Sequence, residues 1–189
     1  MVRQVTDRLC SVGKAELTIA GPVILAAALG HVLRNRPCSV LVFHRQERWW
    51  WNKSRITLAA CSPATAGPPP WVATDERPRS GGGSPAACVR RVVAQCGPDG
   101  FIPDGWKGAV AAELPLNLTP RDVPTCLVSV AARVPTGEHV FLGLNVPGPL
   151  AFALGGALAM RRRVTFCHFW RERSEYEPFF ANFEPPWVG

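Results

Sequence analysis

The sequence predicts an α/β protein with a mainly parallel sheet, built from a duplicated strand–turn–helix–strand unit within a single compact domain. Three observations predict it. First, one design occurs twice, as AELTIAGPVILAAALGHVLRNRPCSVLVF and as EHVFLGLNVPGPLAFALGGALAMRRRVTFCHFW. Second, the spacing repeats: Pro22 stands eight residues before Gly30, as Pro147 stands eight before Gly155. Third, the run Val40-Leu41-Val42-Phe43 is continuously apolar, as parallel strands covered on both faces require. A strand, a helix and a second parallel strand form the crossover unit of α/β folds.

In chain order, Met1 to Lys14 is a polar lead-in. The first unit follows: strand Glu16 to Ala20, break Gly21-Pro22, helix Val23 to Leu33, strand Ser39 to Phe43. Pro22 and Pro149 suit the first turn of a helix, where φ is preset and no N–H acceptor is needed. Small residues on the two helices (Ala26, Ala27, Ala28 and Gly30; Ala151, Ala153, Gly155, Gly156 and Ala157) allow close packing. Each glycine costs about 1 kcal/mol of helix propensity against alanine, so a close backbone approach is expected in return.

The first unit runs into Arg45 and Gln46-Glu47-Arg48-Trp49-Trp50-Trp51. Three consecutive tryptophans cannot all face one core, so at least one is expected to be partly exposed. With Arg48, Lys53 and Arg55 beside them they have a base-stacking, phosphate-binding composition; packing at a sheet edge or subunit interface explains them as well. Ile56 to Ala60 reads as a further strand. Ser62 to Pro85 is dominated by Pro, Gly, Ser, Ala and Thr, a composition that buries little apolar surface. The chain therefore divides into a first unit at 1–60, a flexible Pro/Gly-rich loop at 61–86, and a second unit with a C-terminal aromatic tail at 87–189.

Ala87 to Gln95 reads as a short helix or strand, and Phe101, Ile102 and Trp106 as anchors in a turn-rich stretch. Val110 to Leu118 reads as a strand interrupted at Pro115, which argues for an edge or a bulge. Thr119 as N-cap and Pro120 at the first helical position open a helix with Val123, Leu127, Val130 and Val134 on one face. The second unit comprises strand His139 to Leu144, the break Val146 to Pro149, helix Leu150 to Met160 and strand Val164 to Phe169. Trp170 and Arg171 then take the place that Arg45 and the Trp49 cluster take in the first unit. Tyr176, Phe179, Phe180 and Phe183 form an aromatic tail packed on the sheet.

A net charge of +7 favours phosphate-bearing or otherwise acidic partners. Seven cysteines, none in a C-x-x-C pair, give neither a disulfide framework nor a zinc ribbon. Cys38 and Cys167 read as buried small hydrophobes, and a reducing, cytoplasmic setting is expected. Val140 to Met160 carries no charge and is long enough to span a bilayer, but it holds an early Pro/Gly break and leads into a β-type segment, which favours the crossover unit. There is no phosphate-loop, H-E-x-x-H or G-x-S-x-G motif. His139 reads as structural; His44 and His168 stand near strand ends, where phosphate binding or acid–base work is conceivable. No catalytic residue, metal or cofactor follows, and an enzyme is the weaker reading.

The segment AAELPLNLTPRDV, followed after a spacer by HVFLGLNVPGPLAFALGGALAMRRRVTFCHFWRERSEYEP, resembles the SAVED domain of bacterial antiviral systems. The features are Glu113 in an acidic β segment, the helix start Thr119 to Val123, the turn Pro147 to Pro149, Leu154-Gly155 in a helix, and Val164 to Tyr176 as a strand with an aromatic run. The likeness covers about Val110 to Pro178, and the N-terminal third joins it only through the repeat. It implies two fused Rossmann-like, CARF-type units that sense a cyclic oligonucleotide second messenger in CBASS or type III CRISPR defence. In that family ligand binding drives oligomerisation, here into a homo-oligomer or filament, and activates an effector. This chain is short and carries no recognisable effector domain, so the effector is expected on a separate protein chain, or the chain is a repurposed member. No direct DNA contact and no membrane are expected. The alternatives are a ring nuclease that degrades the messenger and a structural or membrane-associated subunit.

The residues expected at the ligand follow from where open α/β sheets bind anions, at helix starts beyond the strands' carboxyl ends. Backbone at Gly21-Pro22 and Gly148-Pro149 approaches phosphates. Trp49, Trp50 or Trp170 stacks a base, and Arg45, Arg48 and Arg171 neutralise phosphate charge.

Overall fold

The computed structural model describes residues 7–9, 11, 14–18, 21–34, 39–43, 56–59, 90–97, 102–119, 121–158 and 162–182. In chain order the elements are β1 (Lys14–Thr18), α1 (Val23–Leu33), β2 (Ser39–Phe43), β3 (Ile56–Ala59), β4 (Arg90–Cys96), a 3-10 turn (Asp104–Trp106), β5 (Val110–Leu114), α2 (Val123–Arg133), β6 (His139–Asn145), α3 (Gly148–Ala157), β7 (Arg163–Trp170) and β8 (Glu175–Ala181). Two sheets form rather than one: β1-β2-β3 and β5-β4-β6-β7-β8. In the first, β1 and β2 are parallel and β3 is antiparallel. In the second, β5, β4, β6 and β7 are parallel and β8 is antiparallel. The order strand, helix, parallel strand, antiparallel strand thus occurs at β1-α1-β2-β3 and again at β6-α3-β7-β8. Among the described residues, only the second occurrence has further strands, β4 and β5, beside its first strand.

Helix α1 has the bounds read from the sequence. β1 lies two residues earlier than the β-forming pattern suggested, and Gly21 stands at φ +155 ahead of Pro22. The helix at 123 corrects another expectation. Thr119 does not cap it; instead the Asp122 carboxylate accepts from the Thr119 N–H at 2.8 Å and from its hydroxyl at 2.7 Å. Those two bonds hold the Asp122 carboxyl below the usual carboxylate range. Asp122 itself is the N-cap residue, with a proline at the helix start. The C-terminal aromatics also differ from the expected tail. Tyr176, Phe179 and Phe180 belong to a strand, β8, whose alternation sends Tyr176 to one face and, after an irregularity in the pairing at Phe166/Cys167, Phe180 to the other; Phe183 lies outside the described residues. β8 is a margin of its sheet and carries Pro178, a residue confined to such margins because it cannot donate to a ladder.

The main core lies between the helices and one face of the five-stranded sheet: Val92, Ala94, Leu142, Leu144, Val164 and Phe166 meet Val130, Leu150, Leu154 and Leu158. A smaller cluster of Val93, Trp106, Cys167 and Tyr176 covers the other face. Gly143 makes room for it, since a Cβ there would lie 2.9 Å from the Tyr176 ring. Asn182 closes the far end of this sheet. Its Oδ1 accepts from the Val164 N–H at 2.9 Å, and its Nδ2 donates to the carbonyls of Leu158 at 3.1 Å and Arg162 at 2.9 Å. One buried amide therefore joins the end of α3, the start of β7 and the end of β8.

The tightest approach at any glycine among the described residues is between α1 and α3. A Cβ on Gly30 would stand 1.9 Å from the Phe152 carbonyl oxygen, and one on Gly155 would stand 1.9 Å from that of Ala27. The backbones touch at both points. The offset of 125 positions that carries Pro22 to Pro147 also carries Ala27 to Phe152 and Gly30 to Gly155, so each contact is the counterpart of the other. Both lie one to two turns inside their helices. Directly after Gly30, His31 is buried with its ring centroid 5.8 Å from that of Phe180. Burial, with the charge of Arg34 adding to it, pushes its imidazole from 6.5 down to about 4.

Two outcomes are expected. Gly155→Ala gains about 1 kcal/mol of helix propensity but overpacks backbone against backbone, which costs about 1–3 kcal/mol or more. Thermal unfolding should show a net loss, whereas Gly156→Ala, whose Cβ would sit 3.5 Å from the Gly30 oxygen, should hold or raise the melting temperature. The second concerns pH. Because the folded state keeps His31 neutral and the unfolded chain takes a proton near 6.5, its contribution is complete above pH 6.5 and is lost as pH falls towards about 4. Melting temperature measured across that window should fall with acid, and His31→Leu should flatten the fall.

Candidate functional site

Strand order points to a candidate site. From β4 the chain moves to β5 on one side, through a connection whose Trp106 packs on one face. From β6 it moves to β7 on the other side, through α3 on the opposite face. The order reverses between β4 and β6, and open α/β sheets bind ligands beyond the carboxyl ends at such a point. The carboxyl edge there is formed by Gln95 and Cys96 of β4, Asn145 of β6 and the start of α3. Gly97, at φ +87, turns the chain off β4 at once, with its N–H donating to the Leu114 carbonyl at 2.8 Å.

Of the residues expected from the sequence, four meet at this edge. Pro147 precedes α3 with φ −59 and ψ 148, and Pro149 lies in the first turn. The Ala151 N–H already donates to the Pro147 carbonyl at 3.0 Å. Helix geometry therefore leaves the Gly148 and Leu150 N–H groups without an intrahelical acceptor. Gly148 is half-buried, and the Pro149 ring packs into the core, so what this turn offers at the edge is backbone. Trp170 and Arg171 stand at the end of neighbouring β7, both exposed. The Trp170 ring meets His168 edge-on at 4.7 Å, and His168 meets Phe179 at 6.4 Å, giving an aromatic group that opens to solvent at Trp170 and Phe179. The turn after Trp170 closes through Ser174, the one described non-glycine residue at positive φ, and projects Arg171 to Arg173.

Gly21 and Pro22 open α1 and are exposed, with the Leu25 N–H donating to the Pro22 carbonyl at 3.0 Å. They connect to the edge through the body of α1 on α3. Arg45, Arg48, Trp49 and Trp50 lie outside the described residues, as do His44 and Cys38. His139 is tied to the Thr165 hydroxyl at 2.7 Å, in keeping with a structural role.

Sequence reasoning missed a row of polar residues across three strands. Glu113 of β5 and Asn145 of β6 are both register partners of Gln95 on β4. All three share the face of Val93 and Trp106 by the two-residue alternation of strands. Glu113 and Asn145 are exposed, whereas Gln95 is 2% exposed and its Oε1 has no hydrogen-bond partner. A polar residue ending an apolar strand run, RRVVAQC, was the available signal. Below the row, Tyr176 packs on Trp106 at 4.8 Å and on Phe169 at 5.1 Å, and burial raises its phenol to about 12. Burial likewise holds Cys96 at about 11 and Cys167 at about 12, so these thiols stay protonated. Among the described residues no group of three His, Cys, Asp or Glu could hold a metal ion, and no helix is long and apolar enough to cross a membrane.

No family model and no curated protein matches the sequence. Solved structures do match in fold. The Acinetobacter baumannii Cap4 SAVED/CARF-domain containing receptor with the cyclic trinucleotide 3'3'3'-cAAA matches at TM-score 0.52 and 14% identity over 96% of this chain. The same receptor with 2'3'3'-cAAA matches at 0.50 and 12% over 95%, and a further structure of it at 0.52 and 10% over 96%. This chain spans 39%, 42% and 41% of those chains, about two-fifths of their length. Over nearly all its length, then, the chain is similar in fold to part of a SAVED/CARF-domain containing receptor.

Proposed function

We propose that this chain is a cytoplasmic sensor of a cyclic oligonucleotide messenger in bacterial anti-phage defence of the CBASS type, and that it controls the assembly or activity of an effector carried by another chain. The observation that carries this reading is the likeness in fold, over 96% of the chain, to a receptor solved with cyclic trinucleotides. The paired contacts of Gly30 with Phe152 and Gly155 with Ala27, together with the twice-used strand–helix–strand–strand order, support reading the chain as two fused Rossmann-like half-units.

Within that reading each group has a task. The N–H groups at the start of α3 receive one phosphate, with the helix dipole favouring its charge. Arg171 neutralises a phosphate from the exposed turn, and Trp170 offers an indole face to a base. The start of α1 at Gly21-Pro22 and the basic–aromatic segment holding Arg45, Arg48, Trp49 and Trp50 serve the same ring from the first half-unit.

A thermal-shift panel of cyclic di-, tri- and tetranucleotides tests the proposal. A cognate messenger at a hundredfold excess over Kd stabilises by about 2.7 kcal/mol, roughly 5–10 °C for a chain of this size. Arg171→Ala should weaken that messenger roughly tenfold, about 1.4 kcal/mol. Failure of every member of the panel to raise the melting temperature sinks the sensor.

A further inference from the structure

We infer that Gln95 reads the messenger's base, its side-chain carbonyl accepting a hydrogen bond from the exocyclic amine of a nucleobase bound at the carboxyl edge. The inference rests on the sensor reading and adds to it a residue and a chemical class. It starts from an unmet hydrogen bond. A buried carbonyl oxygen without a donor costs about 1–3 kcal/mol, and most buried polar atoms in folded proteins are paired. Gln95 stands on β4, an interior strand of the five-stranded sheet between β5 and β6, 2% exposed, with an unpaired Oε1. Its neighbours along the strand, Val92, Val93 and Ala94, are apolar and fully buried, as a strand covered on both faces favours. An apolar side chain of similar volume would avoid the cost of the amide at this position.

The location gives the unmet bond a use. Gln95 is the last fully buried residue of β4, beside the point where strand order reverses, and is in register with Asn145, the residue from which the chain runs to α3. The charge of the row then selects the class of ligand atom. Glu113, in register on the other side, is an exposed carboxylate. An acceptor flanked by a carboxylate disfavours a phosphate oxygen and favours an N–H. The phosphates have other receivers, the α3 start and Arg171, so base and phosphate are held by different parts of the edge. A glutamine amide paired with an amino-bearing base is a known complementary geometry, in which each good pair discriminates by roughly ten- to hundredfold.

The test is a two-by-two comparison by thermal shift and calorimetry. The protein is wild type or Gln95→Met. The ligand is the adenine-containing messenger that the panel selects, or the same ring with purine, which lacks the exocyclic amine, in place of adenine. Wild type should prefer the amine-bearing ring by roughly tenfold or more, and Gln95→Met should bind the two rings alike. Unliganded Gln95→Met should melt no lower than wild type, because the change removes an unpaired acceptor. The inference is overturned by a wild type that binds both rings equally, by a preference that survives in Gln95→Met, by a cognate ring made of uracil alone, or by a Gln95→Met protein that melts lower or does not fold. In each of those cases the sensor stands if wild type still binds a messenger. A wild type silent to the whole panel removes the sensor and this inference together.

Discussion

Backbone meeting backbone between α1 and α3 is the constraint on which the other arrangements depend. Gly30 and Gly155 each accept a carbonyl group where a methyl would collide. This seats the helix of the three-stranded sheet directly on the helix of the five-stranded one, and α1 also reaches β6 and β7. Hydrophobic burial alone would not fix that relation so closely, because it is not directional and tolerates changes in spacing. Two glycines that weaken their own helices specify the distance between them. Everything at the carboxyl edge that belongs to the second sheet, and the α1 start that belongs to the first, inherits its relative position from this joint.

The parts of the fold legible in the sequence were those set by local periodicity and by Pro and Gly. Helix α1 followed from its Pro22 start and its small-residue stripe, and the strands at 39–43 and 139–145 from their apolar runs. The expected price of the helix glycines, a close approach, is met by the Phe152 and Ala27 carbonyls. Pairing was less legible, since it is a property of distant residues. Nothing local in Ala87 to Gln95 says that it forms an interior strand of a sheet, and its Arg90 and Arg91 disguise a buried strand. Nothing local in Glu175 to Ala181 distinguishes an aromatic tail from a strand, because the pairing shift beside Phe179 breaks the alternation that would reveal it. The start of α2 misled for a chemical reason: Thr119 and Asp122 can each cap the other's backbone, and here the carboxylate is the acceptor.

The site was legible to a similar degree. Helix starts and exposed Trp and Arg carry composition signals, and Gly148, Trp170 and Arg171 do stand at one sheet edge. In the Glu113–Gln95–Asn145 row only single members carry a sequence signal, such as the polar residue ending RRVVAQC, since the three are brought side by side by strand register. What results is an edge of two chemical characters. Toward α3 and the turn after β7 it offers N–H groups and a guanidinium; toward β5 it offers acceptors. A molecule that carries both negative charge and amino groups is matched by the combination more closely than an anion alone.

The irregular, proline-bearing outer strand has a bearing on how copies of this chain can meet. A flat strand at a sheet's rim exposes a ladder of backbone groups to any passing strand and invites endless edge-to-edge growth. Here Pro178 removes one rung and the slip beside Phe179 spoils the spacing of the others. Growth along that rim is discouraged, so copies of this chain that met there would be joined by side-chain surfaces and not by a main-chain ladder.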